Sequence, residues 1–345
     1  MLNNAKKIRQ INRADFFNLG NFTEKIKFLL RYAILAPSTH NIQPWKFSIK
    51  EKSCLCFVDK KLYLPYGDPK TQNSYISLGG TIENLILVAK YYNFFDHLDY
   101  NYDKSGTFFV EVFFKEGVGM DENFTSFEET IKNRVNVRGV FEEKDIGLSV
   151  LDELLDELTK AKSVFGVDAY LITDKNKIKE IAKLTAKGMQ TAHSNKDFRK
   201  EMSLYINNNL SSRKYGIHGF SMKAPLLFSF ILPSVIKWFD MGKILGKLNF
   251  KSISSAPLIC VLSGGDDTPV AWTKVGRLAQ HLTLISQNHN LRTSIYVAAI
   301  EMGYENELMK IIGADKKPHF LFCVGYMKSK ARITPRLEVE NKLTR

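Results

Sequence analysis

The feature that most constrains the fold is an internal repeat. Residues 78–94 (LGGTIENLILVAKYYNF) align without gaps to residues 275–291 (VGRLAQHLTLISQNHNL). Identical residues in this alignment include Gly79 with Gly276, Leu85 with Leu282, Leu87 with Leu284 and Asn93 with Asn290. Both copies place apolar residues at helical spacing, and an apolar strand follows each copy after an interval. Two unrelated helices with similar spacing would explain the match, and so would a chain built from two related halves around a shared centre.

The rest of the chain contains helical patterns and pairs of consecutive strand patterns, and we predict an α+β fold. Strands are predicted at residues 45–49, 54–58, 98–102, 107–114, 164–172, 257–262 and 320–325. Helices are predicted from Asn21 to a stop at Pro37 and over residues 74–92, 127–133, 149–161, 175–208, 273–288 and 294–312. Gly79 and Gly80 lie in one of these helices, where the missing side chains would let another backbone approach closely.

A polar loop lies between two prolines after the first long helix. Pro37 stops the helix, and Pro44 is expected to hold Gln43 in an extended conformation. Short hydrogen-bonding side chains fill the loop: Ser38, Thr39, His40, Asn41 and Gln43. Such a set suits a planar, hydrogen-bonding ligand, although a solvated connection between a helix and a strand would have the same composition.

A second polar segment carries Arg134, Asn136 and Arg138 at alternate positions. Two guanidinium groups with a small polar residue between them suit a phosphate or an electron-rich ring edge. A solvated basic helix end is the alternative interpretation. The seven histidines form no metal-binding pattern, and no hydrolase or kinase motif is present, so we predict no metal site.

The net charge of +13 would suit nucleic acid or an anionic membrane surface. However, the lysines are scattered and no nucleic-acid-binding module is recognisable, so we expect no nucleic-acid partner. The four cysteines lie in apolar, strand-like runs, and the first residues lack the apolar stretch of a signal peptide. These features predict buried free thiols and a cytoplasmic location.

An insert at about residues 207–250 begins with a polar, glycine-containing stretch and continues as an apolar segment. Its most apolar window, residues 224–239, is interrupted by two prolines and a lysine and is shorter than a membrane span, so we expect no transmembrane segment. Its aromatic and aliphatic residues would serve equally as a lid over a ligand, as core filler, or as a dimer or membrane-surface patch.

Three strings together resemble one protein family. APSTHNIQPW resembles the A-P-S-x-x-N-x-Q-P-W signature of the nitroreductase superfamily, whose members bind FMN. RVNVR is similar to that family's R-x-S-x-[RK] segment, with Asn136 in place of the usual serine. Gly325-Tyr326 followed by Pro335-Arg336 is similar to its G-Y … P-R ending. The resemblance extends over nearly the whole chain and is closest to the long-chain, Acg-like branch.

The resemblance implies a nitroreductase-like fold with two tandem halves that form a pseudo-dimer within one chain. The first half would cover residues 1–120, and the second, with the lid-like insert, residues 121–345. The chain would be a monomer built as an internal pseudo-dimer, or a homodimer. FMN would be the cofactor, NAD(P)H the co-substrate, and a nitroaromatic or quinone-like small molecule the acceptor. An FMN-sequestering protein with little turnover is the alternative.

The resemblance also implies a set of cofactor-binding residues. Arg134 and Asn136 would lie near the FMN phosphate or ribityl chain, Arg138 near N1 and O2 of the isoalloxazine, and Arg336 at the phosphate. The backbone around Ile295 and Val297 would line the flavin edge. The loop of the other half would shape the site through Pro37, Ser38, Thr39, Asn41 and Gln43. No side chain is expected to be catalytic, because the redox chemistry would occur at flavin N5.

Overall fold

The computed structural model describes residues 2–328 and 332–344. Its α-helices are Leu2–Lys7 (α1), Phe22–Ala33 (α2), Gln72–Tyr91 (α3), Thr125–Asn133 (α4), Leu148–Phe165 (α5), Lys175–Ser194 (α6), Lys196–Leu204 (α7), Leu226–Trp238 (α8), Gly242–Ser254 (α9), Pro269–Asn288 (α10), Ala298–Glu301 (α11) and Glu305–Ile312 (α12). Its strands are Trp45–Ile49 (β1), Ser53–Val58 (β2), Phe95–Tyr102 (β3), Phe108–Phe114 (β4), Asp168–Ile172 (β5), Ile206–Asn207 (β6), Ile217–His218 (β7), Leu258–Ser263 (β8), Arg292–Ile295 (β9) and Phe320–Gly325 (β10). The fold is therefore α+β, as the sequence predicts.

Two four-stranded antiparallel sheets organise the chain. The first has the order β1-β2-β4-β3, and the second has the order β5-β8-β10-β9. In both sheets the neighbouring strands follow the order first, second, fourth and third, when the strands are numbered by their position along the chain. A 20-residue helix connects the second and third strands in both cases, α3 in the first sheet and α10 in the second. The two sheets thus share one topology.

The helices α3 and α10 cross at their glycines. A Cβ atom on Gly79 would lie 2.0 Å from the Thr273 carbonyl oxygen, and a Cβ atom on Gly276 would lie 2.0 Å from the Ile76 carbonyl oxygen. Extending the repeat alignment by two residues pairs Ile76 with Thr273, so the two contacts are reciprocal. The expectation that Gly79 admits a close backbone approach is confirmed, and only glycine fits at either position.

The ends of the two repeat helices also match. Asn93 and Asn290, which the alignment pairs, both have left-handed backbones, with φ of 50° and 60°. Each asparagine is followed by a residue whose backbone N–H donates to the carbonyl five residues earlier in its helix. Asparagine tolerates this conformation better than most residues, so the sequence repeat extends to the helix termination.

Two segments outside the sheets pair with single residues of strands β1 and β9. Near the C-terminus, Leu343 pairs in parallel with Phe47 of β1, so the tail lies beside the first sheet. Asn136 pairs in parallel with Thr293 of β9, so the segment with the alternating arginines lies beside the second sheet. The residues with predicted binding roles are therefore anchored on regular structure.

The insert forms the two helices α8 and α9. Gly242 and Gly246 bring α9 against α6, where the nearest atoms belong to Gln190 and Ala186. Helix α8 packs on α7 through the buried faces of Leu232 and Ile236. Over residues 2–328 and 332–344, the structure has no helix that combines enough length and apolar character to cross a bilayer.

Three predicted elements differ in the structure. The helix predicted for residues 294–312 is wrong at its start, because Ser294 and Ile295 belong to β9 and Gly303, with φ of 83°, separates two short helices. The strand predicted from Val164 begins only at residue 168, because α5 continues to a left-handed Gly166. The helical region predicted over 175–208 is divided at Asn195, whose side chain caps α7.

Candidate functional site

The candidate site is built around the end of α2. Asn21 caps the start of this helix by accepting a hydrogen bond from the Glu24 amide at 3.0 Å, as the sequence predicts. At the other end, Pro37 prevents continuation and leaves the carbonyls of Leu35 and Ala36 free to accept other donors. A helix C-terminus carries partial negative charge, so cationic side chains are favourable at this position.

Two arginines from distant parts of the chain meet at these carbonyls. Arg134 Nη2 donates to the Leu35 carbonyl at 3.0 Å. Arg336 Nη2 donates to the Ala36 carbonyl at 3.1 Å and to the Leu35 carbonyl at 3.4 Å. The structure therefore brings together the two arginines that the resemblance places near the phosphate or ribityl chain (Arg134) and at the phosphate (Arg336), although about 200 residues separate them.

Both guanidinium groups are buried without a compensating acid. Arg134 is 2% exposed and Arg336 is 3% exposed, and among the described residues neither forms an ion pair. Their other partners are neutral: the Asn136 side chain for Arg134, and Asn41 and Thr334 for Arg336. The Nε atom of each is buried with no partner in the described part of the chain. Two buried charges with spare donors form an anion-binding arrangement.

The pKa values reflect this lack of a counter-charge. Burial lowers the pKa of Arg134 to about 9, with a further decrease from the nearby charge of Arg9. Burial lowers the pKa of Arg336 well below its usual value, and the charges of Arg9 and Arg134 lower it further. A bound anion would oppose all of these effects.

Arg9 is a candidate residue that the sequence analysis missed. It is buried, its Nε and Nη1 atoms have no partner in the described residues, and burial lowers its pKa to about 10. It lines a cleft of about 370 Å³ together with Lys132 and Asn133, which directly precede Arg134. Arg9 lies in the turn after α1, a basic stretch without a motif, so only the three-dimensional structure identifies it.

The loop after Pro37 has an unusual backbone. His40, Asn41 and Gln43 all have positive φ, at 49°, 55° and 55°. The expectation that Gln43 is extended is therefore wrong. A following proline disfavours the right-handed helical region but leaves the left-handed region open, and contacts distant in sequence stabilise Gln43 there. Three left-handed residues that are not glycine within four positions are costly and are characteristic of functional segments.

Gln43 holds this loop in place. It is fully buried, and its backbone N–H donates to Ser38 Oγ at 2.9 Å. Its side-chain nitrogen donates to the Lys214 carbonyl at 2.8 Å, and its side-chain oxygen accepts from the Leu337 amide at 2.8 Å. The hydrogen-bonding capacity of Gln43 is thus used within the protein, between the insert and the C-terminal tail.

Asn41 connects the loop to Arg336 and to the insert. Its side-chain oxygen accepts from Arg336 Nη1 at 2.8 Å. Its side-chain nitrogen lies 3.4 Å from the Gly216 carbonyl oxygen and 3.3 Å from that of Pro335, and its carbonyl accepts from the Gly216 amide. The first part of the insert is therefore seated directly on the loop.

Arg138 lies on the exposed side of the same region. Its positive charge contributes to lowering the pKa of His40 to about 4, after the larger effect of burial and together with His193. His40 is therefore neutral at pH 7. The arrangement places an exposed guanidinium beside a loop whose own groups carry no charge.

The remaining predicted residues lie around these groups. Val137 N donates to the Thr293 carbonyl at 3.0 Å, so the segment that carries Asn136 and Arg138 runs in parallel beside the strand that ends at Ile295. Val297 follows and begins the turn into α11. In the loop, Pro37, Ser38 and Thr39 are all half-buried.

Two carboxylates lie near the start of α3, Asp68 buried and Glu301 half-buried. Asp68 accepts hydrogen bonds from the backbone N–H groups of Asn73 and Ser74, at 3.0 and 2.9 Å, and so caps this helix. Glu301 accepts from the Asn73 side chain at 2.7 Å, and burial together with the charge of Asp68 raises the pKa of Glu301 to about 8. Glu301 is thus largely protonated at pH 7.

No protein-family model matches the chain, and no curated protein resembles it significantly. Among solved structures, it is similar to the FMN-dependent nitroreductase NfnB from Mycobacterium smegmatis in complex with NADPH, with a TM-score of 0.42 and 17% identity over 65% of this chain and 99% of that one. Nitroreductase A from Vibrio parahaemolyticus gives a TM-score of 0.40 and 14% identity, over 63% of this chain and 73% of that one. The NADPH:FMN oxidoreductase from Vibrio harveyi complexed with NAD+ gives a TM-score of 0.39 and 13% identity, over 61% and 73%. These sequence identities and TM-scores assign no function to this chain.

Proposed function

We propose that this protein is an FMN-dependent oxidoreductase of the nitroreductase type. It uses NAD(P)H for the two-electron reduction of small electron-poor acceptors, such as nitroaromatic or quinone-like compounds. One observation carries the proposal: Arg134 and Arg336 are buried together, without an acid, against the loop whose sequence resembles the family signature. A buried pair of this kind needs an anion, and the phosphate of FMN supplies one.

The residues present fit the phosphate and leave distinct roles for their neighbours. Arg134 and Arg336 each have a buried Nε atom without a partner in the described part of the chain, and Arg9 has two more such donor atoms. A phosphate oxygen would satisfy donors of this kind. Asn136 orients Arg134 by accepting a hydrogen bond at 3.0 Å. Arg138, exposed beside His40, is the cation that would face the pyrimidine edge of the ring, and the backbone at Ile295 and Val297 would line the opposite edge.

The loop would shape the site from the other half of the chain. Gln43 and Asn41 act by fixing its left-handed backbone, while Pro37, Ser38 and Thr39 remain half-buried at its start. When bound, FMN would supply the redox chemistry by accepting two electrons from the nicotinamide and passing them to the acceptor. The protein supplies charge, orientation and control of access.

The chain is further proposed to be a tandem pseudo-dimer, with halves at residues 1–120 and 121–345. The shared strand order of the two sheets supports this division, and so do the reciprocal contacts of Gly79 and Gly276. Two related units that pack about an approximate two-fold axis would produce such reciprocity. A monomer would then contain the interface that binds the cofactor, as in the long-chain, Acg-like branch.

A second function is favoured by the position of the insert. Gly216 and Lys214 bond directly to Asn41 and Gln43, so the insert lies against the loop that would contact the flavin. A cover of this kind would admit FMN and exclude nicotinamide. The protein would then sequester flavin with little turnover.

The visible spectrum of the purified protein, followed by anaerobic addition of NADPH or NADH, tests both functions. A flavin spectrum that is bleached by either nucleotide supports the reductase. A flavin spectrum that is bleached by dithionite but by neither nucleotide supports sequestration. A colourless protein that also fails to take up added FMN contradicts both.

A further inference from the structure

The insert exposes large apolar side chains at an unusual density. Nine of them lie within residues 226–248: Leu226, Leu227, Phe228, Phe230, Ile231, Trp238, Phe239, Ile244 and Leu248. Leu227 is 83% exposed and Trp238 is 70% exposed. Isolated exposed apolar residues are normal on protein surfaces, whereas a concentration of this kind in one segment marks an interaction surface.

The exposed residues follow the helical repeat. Along α8, Leu227, Ile231 and Trp238 recur at helical spacing, on the side away from the buried residues Leu232 and Ile236. Along α9, Ile244 and Leu248 are one turn apart, while Gly242 and Gly246 face α6. Each helix therefore packs one side against the rest of the protein and exposes an apolar stripe on the other side.

Positive charge accompanies the apolar stripes. Residues 223–251 contain five lysines, Lys223, Lys237, Lys243, Lys247 and Lys251, and a single acid, Asp240. Lys243, Lys247 and Lys251 are exposed and repeat every four residues beside the Ile244 and Leu248 stripe. Trp238 and Phe239 lie at the turn between the helices, a position where aromatic residues anchor interfacial helices in membranes.

We propose that α8 and α9 dock the protein on the surface of an anionic lipid bilayer. The lysines would contact lipid headgroups, and the aromatic and aliphatic side chains would enter the headgroup boundary. At 13 residues, α8 is about 20 Å long, against the roughly 30 Å of a bilayer core, so it lies on the surface and does not span. A second copy of the chain is disfavoured as the occupant, because a two-fold contact would bring two patches together that each carry five lysines and a single acid.

The test is flotation of the full-length protein with vesicles of phosphatidylcholine alone, or of equal parts phosphatidylcholine and phosphatidylserine, at physiological and at high salt. Binding is expected to the anionic vesicles and to weaken at high salt. The emission of tryptophan provides a second readout. Of the three tryptophans, Trp45 and Trp272 are buried, so a blue shift on binding reports Trp238.

Charge reversal tests the lysines with a matched control. The triple variant of Lys243, Lys247 and Lys251 to Glu is expected to lose binding to anionic vesicles by about tenfold or more. The control reverses three exposed lysines of the first half, Lys50, Lys61 and Lys104, and so changes the net charge equally. Equal losses in the two variants would overturn the proposal, because general charge and not this segment would be responsible.

The apolar contribution is tested with Trp238→Ala combined with Phe239→Ala, against Leu148→Ala combined with Leu155→Ala, two exposed leucines on α5. Only the first pair is expected to weaken vesicle binding. Sedimentation of each variant without lipid measures self-association. If the wild-type protein binds neither kind of vesicle, the surface is not a membrane-docking site. The same conclusion follows if the protein binds no lipid but forms a dimer that the first pair of substitutions abolishes.

Discussion

Two buried arginine sites in this protein differ in how their charge is balanced. Where α3 and α10 cross, Arg277 is 8% exposed and lies 3.0 Å from a Glu83 carboxylate oxygen, with a second bond to Tyr100. At the end of α2, Arg134 and Arg336 are buried at least as deeply but bond only to neutral groups. Nearby charges raise the pKa of Arg277 despite burial, whereas burial lowers the pKa of Arg134 to about 9.

We interpret the crossing of α3 and α10 as a structural site and the end of α2 as the proposed ligand site. The buried charges at the crossing have partners of opposite sign. Glu83 also pairs with one ring nitrogen of His281, whose other ring nitrogen lies 3.3 Å from Glu157. The α2 site retains uncompensated charge and partnerless donors in the described part of the chain. Keeping a charge buried without a partner is unfavourable unless a ligand completes it, so the second site is where we place the phosphate.

The largest effect is expected from Arg277→Met. This change leaves the Glu83 carboxylate buried beside only one cationic partner, which costs about 3–5 kcal/mol of unfolding free energy. Denaturant titration measures the loss. The double variant that also carries Glu83→Gln lacks this buried carboxylate charge and should recover part of the lost unfolding free energy. A single variant that loses less than about 1 kcal/mol would show that the crossing does not depend on its charges.

The next effect concerns pH at the same crossing. Hydrogen bonds and charges from Glu157 and Glu83 outweigh burial and raise the pKa of His281 to about 9. Because this pKa is raised above the unfolded value, the contribution is fully present below about pH 6.5 and disappears as pH rises through 9, a loss of roughly 3 kcal/mol. Urea titrations across this range should show the loss in the wild type and its absence in His281→Gln. Parallel pH profiles for the two proteins would contradict the assignment.

A smaller effect is expected at the glycines of the crossing. Gly79→Ala places a methyl group against the Thr273 carbonyl and should destabilise by about 1–3 kcal/mol. Its neighbour Gly80 is a matched control, because a Cβ atom there would meet its nearest atom at 3.6 Å and alanine favours a helix. Thermal melts should place Gly80→Ala at or above the wild type. Equal melting temperatures for the two variants would refute the close approach.

The smallest effect on stability is expected from Arg336→Met in the protein freed of flavin. The change removes an uncompensated buried charge, which stabilises, and it frees carbonyl and side-chain acceptors, which destabilises. The two effects nearly cancel, so the unfolding free energy should change by less than about 1 kcal/mol in denaturant titration. A loss as large as that of Arg277→Met would mean that Arg336 is a structural residue.

The sequence predicts the crossing better than it predicts the loop. The repeat, the helix stop at Pro37 and the close approach at Gly79 all follow from local rules on spacing and backbone shape. The left-handed Gln43 does not, because its conformation depends on Lys214 and Leu337, about 170 and 290 residues away. Contacts at such separations are invisible to local propensity.

The arginines also differ in how well the sequence identifies them. Arg134 and Arg336 lie in recognisable strings, whereas Arg9 lies in a turn after α1 that carries no motif, and only its burial near them identifies it. The start of the segment 294–312 is a strand and not the predicted helix, since its apolar spacing suits either element. Pairing with β10 decides in favour of a strand.

The most direct test of the central claim compares FMN with riboflavin, which lacks the phosphate, by measuring the affinity of each for the flavin-free protein. If Arg134 and Arg336 bind the phosphate, FMN should bind about 100-fold more tightly or better, as two hydrogen bonds to charged groups predict. Arg336→Met should remove most of that preference and leave riboflavin affinity unchanged. Equal affinities for FMN and riboflavin in the wild type would contradict the account.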